Sequence, residues 1–492
     1  MRKLTLICSL VLAAAGTGTW LTEPDMSSDV PVIYWATDPN PARIEQVAEF
    51  HQWLVDHGHT TPAGKPRAEL RLETVNADRK GVIQGVSGVA ADIMDCSVPW
   101  YQSIGLLADV TEEAERYGFG IDHTYAALEP LLTVDGRQYG FPCNVYVMAL
   151  WSNLDTFEKL GMEPPPTHWD WDTFERIGKE FVARANPPGE RQTVFFMNKF
   201  EHPYMIRAMH RSVGVSDFNE TMTRSGLDHE GYAETLARVY KWTYVDHIAA
   251  SAAEESAFST ESGYSGAGLT LFQKGHYGMY NIGRWILIRL REFDNPPRVG
   301  VSHYPHSGFA NAVISTRSAC IYAGSKHLEE AKLFLAYLAS EIYNAGIVRS
   351  ADAMPPGPEF TRIEAYTHPP AHRNEWGSHE IPAHGAETIA ISTSVSPFIP
   401  MATVDRYKKK ALDEVMADLA TPEAAVREAA RRIDAEIHLT LKESAKLRAK
   451  YAEAVGLQEK IDRYRDEGRR VPISWITNPF HRRYYVEKGW AG

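Results

Sequence analysis

Apolar residues recur along this chain in two periods, and their order predicts the fold class. The segment "PVIYWATDP" (31–39) is a β-run that ends in a loop. Asn40 caps the helix that follows, with Pro41 at its first position. Ile44, Val47, Phe50 and Leu54 fall on one face of that helix. The segment "AELRLETVN" alternates apolar and polar residues as a half-buried strand does. Residues 88–101 then run from a glycine-rich turn through a short strand at 92–96 into a polar, aromatic loop. This opening reads β-α-β-α-β, the pattern of a mainly parallel sheet covered by helices.

The stretch "DGRQYGFPCNVYVMALWSN" (135–153) breaks the pattern. It starts with an Asp-Gly turn and continues as a β-run, yet Pro142 lies inside it. A strand buried on both faces does not accommodate a proline, which cannot donate to the ladder. A strand that leaves one sheet and enters another can, and the pairing is expected to change partner at Pro142. Three prolines follow, and then a helix starting near Trp169–Asp172 with carboxylates in its first turn, where the helix dipole favours them. Helical patterns dominate to about residue 270. Residues 270–293 are a helix end, a turn at Gly275, a short strand, a break at Gly283 and another helix. Residues 298–315 are a second β-run with Pro305 near its middle. Leu328, Ala331, Phe334, Leu335 and Leu338 form the stripe of a further helix, with Ser325 as its cap. Residues 403 to about 451 are nearly all helical, with Thr421 as cap and Pro422 in the first turn of the last long segment. The tail "WITNPFHRRYYVEKGWAG" carries no assignable pattern.

The first residues change the picture of where the protein works. Arg2 and Lys3 precede an apolar run from Leu4 to Ala15 and then small residues, a secretory signal pattern over about residues 1–25. A cleaved signal is expected. The alternative is an uncleaved N-terminal anchor of about the minimum length for a span. Ile7 before Cys8 argues against a lipid anchor. With 492 residues the chain exceeds one ordinary core, so two or more domains are expected. A net charge of −12, without a stripe of Lys and Arg, argues against a nucleic-acid partner. Cys96, Cys143 and Cys320 remain beyond the signal; they allow at most one disulfide within the chain, or three buried free thiols. His202, His303 and His306 lack metal-ligand spacing, and no phosphate-binding Gly-x-x-x-x-Gly-Lys-Ser/Thr loop occurs. No metal and no cofactor are expected.

The order of several motifs resembles the extracellular solute-binding proteins of ABC importers, in their family-1, sugar-binding, maltose-binding-protein-like branch. "DGRQYGFPCNVYVMALWSNLDTFEKLGMEPPPTHWDWDTFERIGKEF" looks like that family's Gly-x-x-Tyr-Gly-x-Pro, aromatic-x-Asn-x-x-x-Phe and Pro-Pro-x-Thr-Trp segments. "LFQKGHYGMYNIGRW", "HLEEAKLFLAYLAS", "ADAMPP" and "TPEAAVREAARRID" resemble its later ones. The likeness spans roughly residues 30–440. It departs from the family at Thr167–Trp171, where the register of the motif's Trp is ambiguous, and in the last 40 to 50 residues. It implies an α/β, two-lobed periplasmic-binding-protein fold (type II-like), each lobe a mainly parallel sheet flanked by helices. By matching position, Phe141–Trp151 is the first crossing between lobes and Gly300–Phe309 the second. Lobe 1 is then 30–140 plus 305–345 and lobe 2 is 150–298 plus 350–450, with 451–492 an extension of unknown role. Cys96 and Cys143, both near a crossing, become the better candidate pair.

A sugar site needs flat aromatic surfaces and planar polar partners at strand ends facing the crevice. Trp35 and Asp38 follow the first strand; the alternative for Trp35 is the last inward core position. Trp100 and Tyr101 lie on the loop after 92–96, with packing under that loop as their alternative. Asn144 and Tyr146 lie on the first crossing, where Asn144 could instead satisfy a loose backbone carbonyl. Trp285 matches the motif position that stacks on sugar, against a core role, and Gly283 would let a ligand approach. Arg284, Ser307, Gly308 and Asn311 complete the candidates, while Trp169, Trp171 and Trp151 are assigned to the core. The expected function is capture of a carbohydrate or polyol by hinge closure and delivery to an ABC permease, by a monomer in the periplasm and without catalysis. The rivals are a secreted glycosidase, which needs two positioned carboxylates, and a binding protein for a non-sugar solute such as a polyamine.

Overall fold

The computed structural model describes residues 28–74, 78–198, 203–258 and 266–492; the expected signal at 1–25 and His202 lie outside them. Among the described residues the strands are β1 (Val32–Ala36), β2 (Glu69–Glu73), β3 (Ile93–Met94), β4 (Thr133–Val134), β5 (Arg137–Gln138), β6 (Gly140–Val147), β7 (Ala149–Asn153), β8 (Phe195–Met197), β9 (Tyr277–Ile282), β10 (Val299–Ser302), β11 (Ala312–Ile321) and β12 (Ala390–Ser392). They form two main sheets. The first runs β12-β11-β3-β1-β2, with β6 also on β11; the second runs β10-β7-β9-β8; β4 and β5 make a hairpin. The two-lobed binding-protein architecture is thus present, each sheet flanked by helices.

In the first lobe β1 alternates as its sequence dictates: Ile33 and Trp35 point inward and Tyr34 outward. Helix Ala42–Asp56 packs Phe50, Trp53 and Leu54 against that sheet together with Phe334 and Tyr337 of helix Leu328–Leu338. The latter helix lacks the expected Ser325 cap. Ser325 instead accepts from the His327 backbone and donates to Asp92 at 2.5 Å. In the second lobe helix Trp171–Ala185 begins at Asp170, whose carboxylate accepts from Thr173 N at 2.7 Å, and it buries Trp171, Phe174, Ile177 and Phe181. Helices Glu230–Tyr244, Met401–Met416 and Pro422–Glu443 complete that core, the last capped by Thr421 as its sequence predicts.

The crossings differ from expectation in instructive ways. β6 stays in the first sheet as far as Val147, and Met148 N still donates to Val313 O at 3.2 Å; Ala149 already pairs with Ile282 in the second sheet. The change of sheet therefore falls at Met148 and not at Pro142. Pro142 pairs with Ser318 beside a bulge in which Cys143 is the extra residue, a place where a missing N–H is tolerated. The second crossing is residues 303–311, since Gly300 still pairs with Ser152. A third crossing, residues 393–400, follows β12. The sequence placed residues 390–392 in lobe 2, but β12 lies parallel to Ala312–Ile314 in the first sheet. Three residues are too few to show a strand period, and only their long-range pairing reveals them. The second sheet also departs from the mainly parallel expectation. Only β8–β9 is parallel there, because β7 enters from the hinge and meets both neighbours antiparallel. Cys96, Cys143 and Cys320 are free and buried, so the candidate Cys96–Cys143 disulfide does not form.

Candidate functional site

A cavity of about 260 Å³ lies between the lobes and is walled by both. The first lobe contributes Asp95, Ser97 and Pro99, just after β3, and Ser315, Thr316 and Ser318 on β11. The second contributes Tyr204 and Arg207 from helix Pro203–Ser212, and Met401 and Asp405 from helix Met401–Met416. Tyr146 on β6 and Thr393 and Val395 on the third crossing complete the lining.

Charge in this cavity is arranged in neutralised sets. Asp95 accepts from Arg317 Nη1 at 3.1 Å and from Ser318 N at 3.1 Å. Arg317 also lies 3.4 Å from Asp38, which in turn receives Arg43 Nε at 2.8 Å. Burial pushes the Asp38 carboxyl up, and Arg43 and Arg317 outweigh it, so Asp38 is held below its ordinary value. Across the cavity Arg207 is buried. Its Nε donates to Asp217 at 3.2 Å and its Nη1 reaches Thr393 Oγ1 at 3.5 Å. Its Nη2 lies 3.8 Å from Asp405 Oδ1, too far for a hydrogen bond. That Asp405 oxygen is buried and accepts no hydrogen bond from the protein. Arg207 and Asp405 therefore form a loose ion pair on the cavity wall. The phenols of Tyr146 and Tyr204 meet at 3.2 Å, and Tyr146 packs edge-on to Trp285 at 5.3 Å. Tyr204's hydroxyl is held well above its ordinary pKa, first by the neighbouring Tyr146 and then by burial, and so is a neutral donor.

Of the residues proposed from sequence, Tyr146 lines the cavity and Asp38 stands behind it through Arg317. The others lie elsewhere. Trp35 has no exposed surface and tilts against Phe334 at 4.8 Å in the first core. Trp100 and Tyr101 lie on a short helix, Val98–Ser103, in place of the expected loop, and pack in the small core beneath it. Asn144 is buried and donates to Asp352 at 3.1 Å, in a network with Asn40 and Arg43 that ties β6 to the loop after helix Glu341–Ser350. Arg284 is buried, donates to Ala353 O at 2.7 Å and lies 4.3 Å over the Tyr366 ring. Ser307 and Gly308 are exposed on the second crossing, and Asn311 donates to Ala208 O at 3.1 Å. Trp285 is half-buried between the two cores of the second lobe. Gly283 is adjacent to it for a different reason from ligand approach: a Cβ there would overlap the Trp285 ring. Gly283→Ala is expected to displace that ring from Tyr146 and to lower stability by about 1–3 kcal/mol, as overpacking does. Thermal unfolding and the tryptophan emission maximum check this; an unchanged emission would leave the ring where it was.

Asp95, Ser97, Tyr204, Arg207, Thr393 and Asp405 went unnoticed in the sequence. Asp95 and Ser97 sit at the predicted end of a strand, the usual ligand edge, and that signal was available. Arg207 and Asp405 had none, since each shares its helix face with other charged residues, His210 and Arg211 or Lys408 and Lys409. Among the described residues no group of His, Cys, Asp and Glu is placed to hold a metal ion, and no helix is long and apolar enough to cross a membrane.

Two α/β lobes joined by three crossings enclose a polar, aromatic cavity walled by both, the architecture of a two-lobed binding protein. The sequence model of the bacterial extracellular solute-binding proteins matches residues 73–345. The chain belongs to that family. It is 26% identical over 238 residues to a binding protein of Brucella abortus, covering 47% of this chain and 54% of that one. It is 29% identical over 201 residues to the lactose-binding protein of Rhizobium radiobacter, covering 38% and 43%. The chain thus spans about half the length of the relatives it matches. Among solved structures, an ABC substrate-binding protein of Listeria monocytogenes in complex with cycloalternan superposes with a TM-score of 0.69 at 18% identity, over 83% of this chain and 100% of that one. A maltose-bound protein of T. maritima does so at 0.65 and 16%, over 82% and 99%. At these identities the superpositions speak to fold.

Proposed function

We propose that the protein is the solute-capturing component of an ABC importer, works in the periplasm, and binds a carbohydrate or polyol in the interlobe cavity for delivery to a membrane permease. The observation that carries this reading is a cavity lined by both lobes in which the guanidinium of Arg207 and the carboxylate of Asp405 lie beside the hydroxyls of Tyr146 and Tyr204. A sugar hydroxyl accepts from a guanidinium and donates to a carboxylate at once, and the tyrosine rings offer apolar surface to its C–H faces. Because the solute touches both lobes only when they are together, binding shifts the population toward the closed arrangement. Sugars in the names of relatives and neighbours, lactose, maltose and cycloalternan, support the class.

A cationic solute such as a polyamine is the second reading, favoured by Asp95 and Asp405 on opposite walls. Each carboxylate already has a guanidinium beside it, Arg317 and Arg207 respectively, and this favours a neutral ligand. The same pairing opposes a glycosidase, since both Asp95 oxygens already accept hydrogen bonds. A thermal-shift screen against lactose, maltose, polyols and polyamines tests the reading, since a bound solute raises the melting temperature. Stabilisation by a polyamine and by no sugar would reverse the assignment. Release of reducing ends from an oligosaccharide would replace binding by catalysis. For a sugar that binds, Asp405→Asn is expected to weaken affinity about tenfold, the worth of one charge-assisted hydrogen bond. Isothermal titration of both proteins measures it.

A further inference from the structure

The last residues of the chain, without assignable pattern in the sequence, form a device on the hinge. Helix Ala445–Asp466 leads to a turn and then to helix Pro479–Glu487. The base of this tail is bolted to the second lobe. The backbone N–H groups of Thr477 and Asn478 donate to Glu220 O at 3.0 and 2.9 Å. The Asn478 side chain, fully buried, donates to Phe218 O at 2.9 Å and to Ser216 Oγ at 3.0 Å. The buried Glu220 carboxylate is held by Tyr485 at 2.5 Å, Gln458 at 2.8 Å and Arg465 at 2.9 Å.

The head of the same tail rests on different ground. Phe480 packs at 5.7 Å against Phe309 of the second crossing and shares a small core with Ile391 of β12, in the first sheet. Arg483 donates to Ala390 O at 3.3 Å, and Ser394 Oγ of the third crossing donates to the side-chain Oδ1 of Asn478 at 2.7 Å. Arg211, on a second-lobe helix, donates to Ile391 O and Ser392 O at 3.1 and 2.8 Å with its guanidinium over the Phe480 ring. One short helix and the residue that caps it are therefore fastened to the second lobe through Asn478, His481 and Tyr485, and to two crossings and the edge strand of the first sheet through Asn478, Phe480 and Arg483. Hinge bending needs crossing residues free to change their backbone angles. Rotation of the second lobe relative to β12 carries the base away and breaks the contacts of the head.

We propose that residues 477–487 are a hinge clasp that holds the two lobes in the arrangement described here and restricts their opening. The clasp acts in the empty protein whatever solute the cavity takes, so its test is separate from that of the solute reading. The experiment is a distance measurement between the lobes by pulsed electron resonance on the full chain without added solute. Spin labels go on Cys at Ile83 of the first lobe and Leu419 of the second, both well exposed; the three described native cysteines are buried. The parent chain is expected to give one narrow distance distribution. Phe480→Ala and, separately, Arg483→Ala are expected to populate a second, different distance about tenfold more than the parent does. If Phe480→Ala fails to fold, Arg483→Ala, which removes a part-buried hydrogen bond to Ala390 O and the guanidinium over the Phe309 ring, decides alone. A folded variant whose distribution matches that of the parent overturns the clasp, even where its melting temperature has fallen, because a merely structural helix lowers stability without changing the lobe distance.

Discussion

Replacing Asp217 by asparagine is expected to lower the folding stability by about 3–5 kcal/mol, the usual consequence of breaking a buried charge set from one side. Asp217 is 2% exposed and receives Lys408 Nζ at 2.8 and 2.9 Å and Arg207 Nε at 3.2 Å, with His210 Nε2 at 3.5 Å. Both cations are themselves buried, so losing the one carboxylate leaves two charges without compensation. The directions agree. Burial pushes Asp217 up, yet Lys408 and Arg207 outweigh it and hold it far below the carboxylate range. Burial pulls Lys408 down, and Asp217 only partly restores it. Since the folded pKa of Asp217 lies below the unfolded one, its contribution is complete above about pH 4 and declines as the pH falls further. Urea unfolding at neutral pH measures the loss. Adding Lys408→Met to Asp217→Asn should recover part of it, because one uncompensated charge goes with it. A loss below about 1 kcal/mol would mean that water reaches the cluster. Arg207, one of the two cations released, is the guanidinium facing the cavity, so the variant that still folds should also bind solute more weakly.

The second large effect is acid destabilisation through His303, which lies in the second crossing. Its ring sits 5.1 Å from that of His168 and 6.3 Å from that of His384, and its backbone is held by Thr167 O and by the Trp169 indole at 2.8 Å. Burial first, and then His168 and His384, push its pKa down to about 4. The unfolded chain binds the proton near pH 6.5 and the folded one only near 4. Stability from neutral His303 is therefore intact above about 6.5 and is lost progressively as the pH falls toward 4, by about 3 kcal/mol in all. His303→Gln should flatten the stability profile across that window relative to the parent. Parallel curves for the two proteins between pH 7 and 4 would show that His303 is not the titrating group. Because the residue sits in a crossing, the same titration should loosen the hinge.

Local pattern carried much of this far. The β-run around Ile33 and Trp35, the cap at Thr421, and the core placement of Trp169, Trp171 and Trp151 all follow from period and propensity. The two-lobed class followed from the order of motifs along the chain. The site was less legible. Trp35, Asn144 and Arg284 have the right residue types at the right strand and helix ends, but each is consumed by a neighbour distant in sequence: Phe334, Asp352 and Ala353. Tyr204, Arg207 and Asp405 come from two helices nearly 200 residues apart and converge only because both pack in the second core.

By itself, then, the sequence determined much of what depends on near neighbours: most of the longer strands and helices, and the helix start at Thr421. The tertiary structure alone decided that the sheet changes at Met148, that residues 390–392 pair with β11, that Arg207 lies beside Asp405, and that the tail sits on the hinge. The physical reason is common to these four. Each depends on a polar or ladder partner far along the chain, and a residue's own type does not say which of several equivalent partners folding will bring to it.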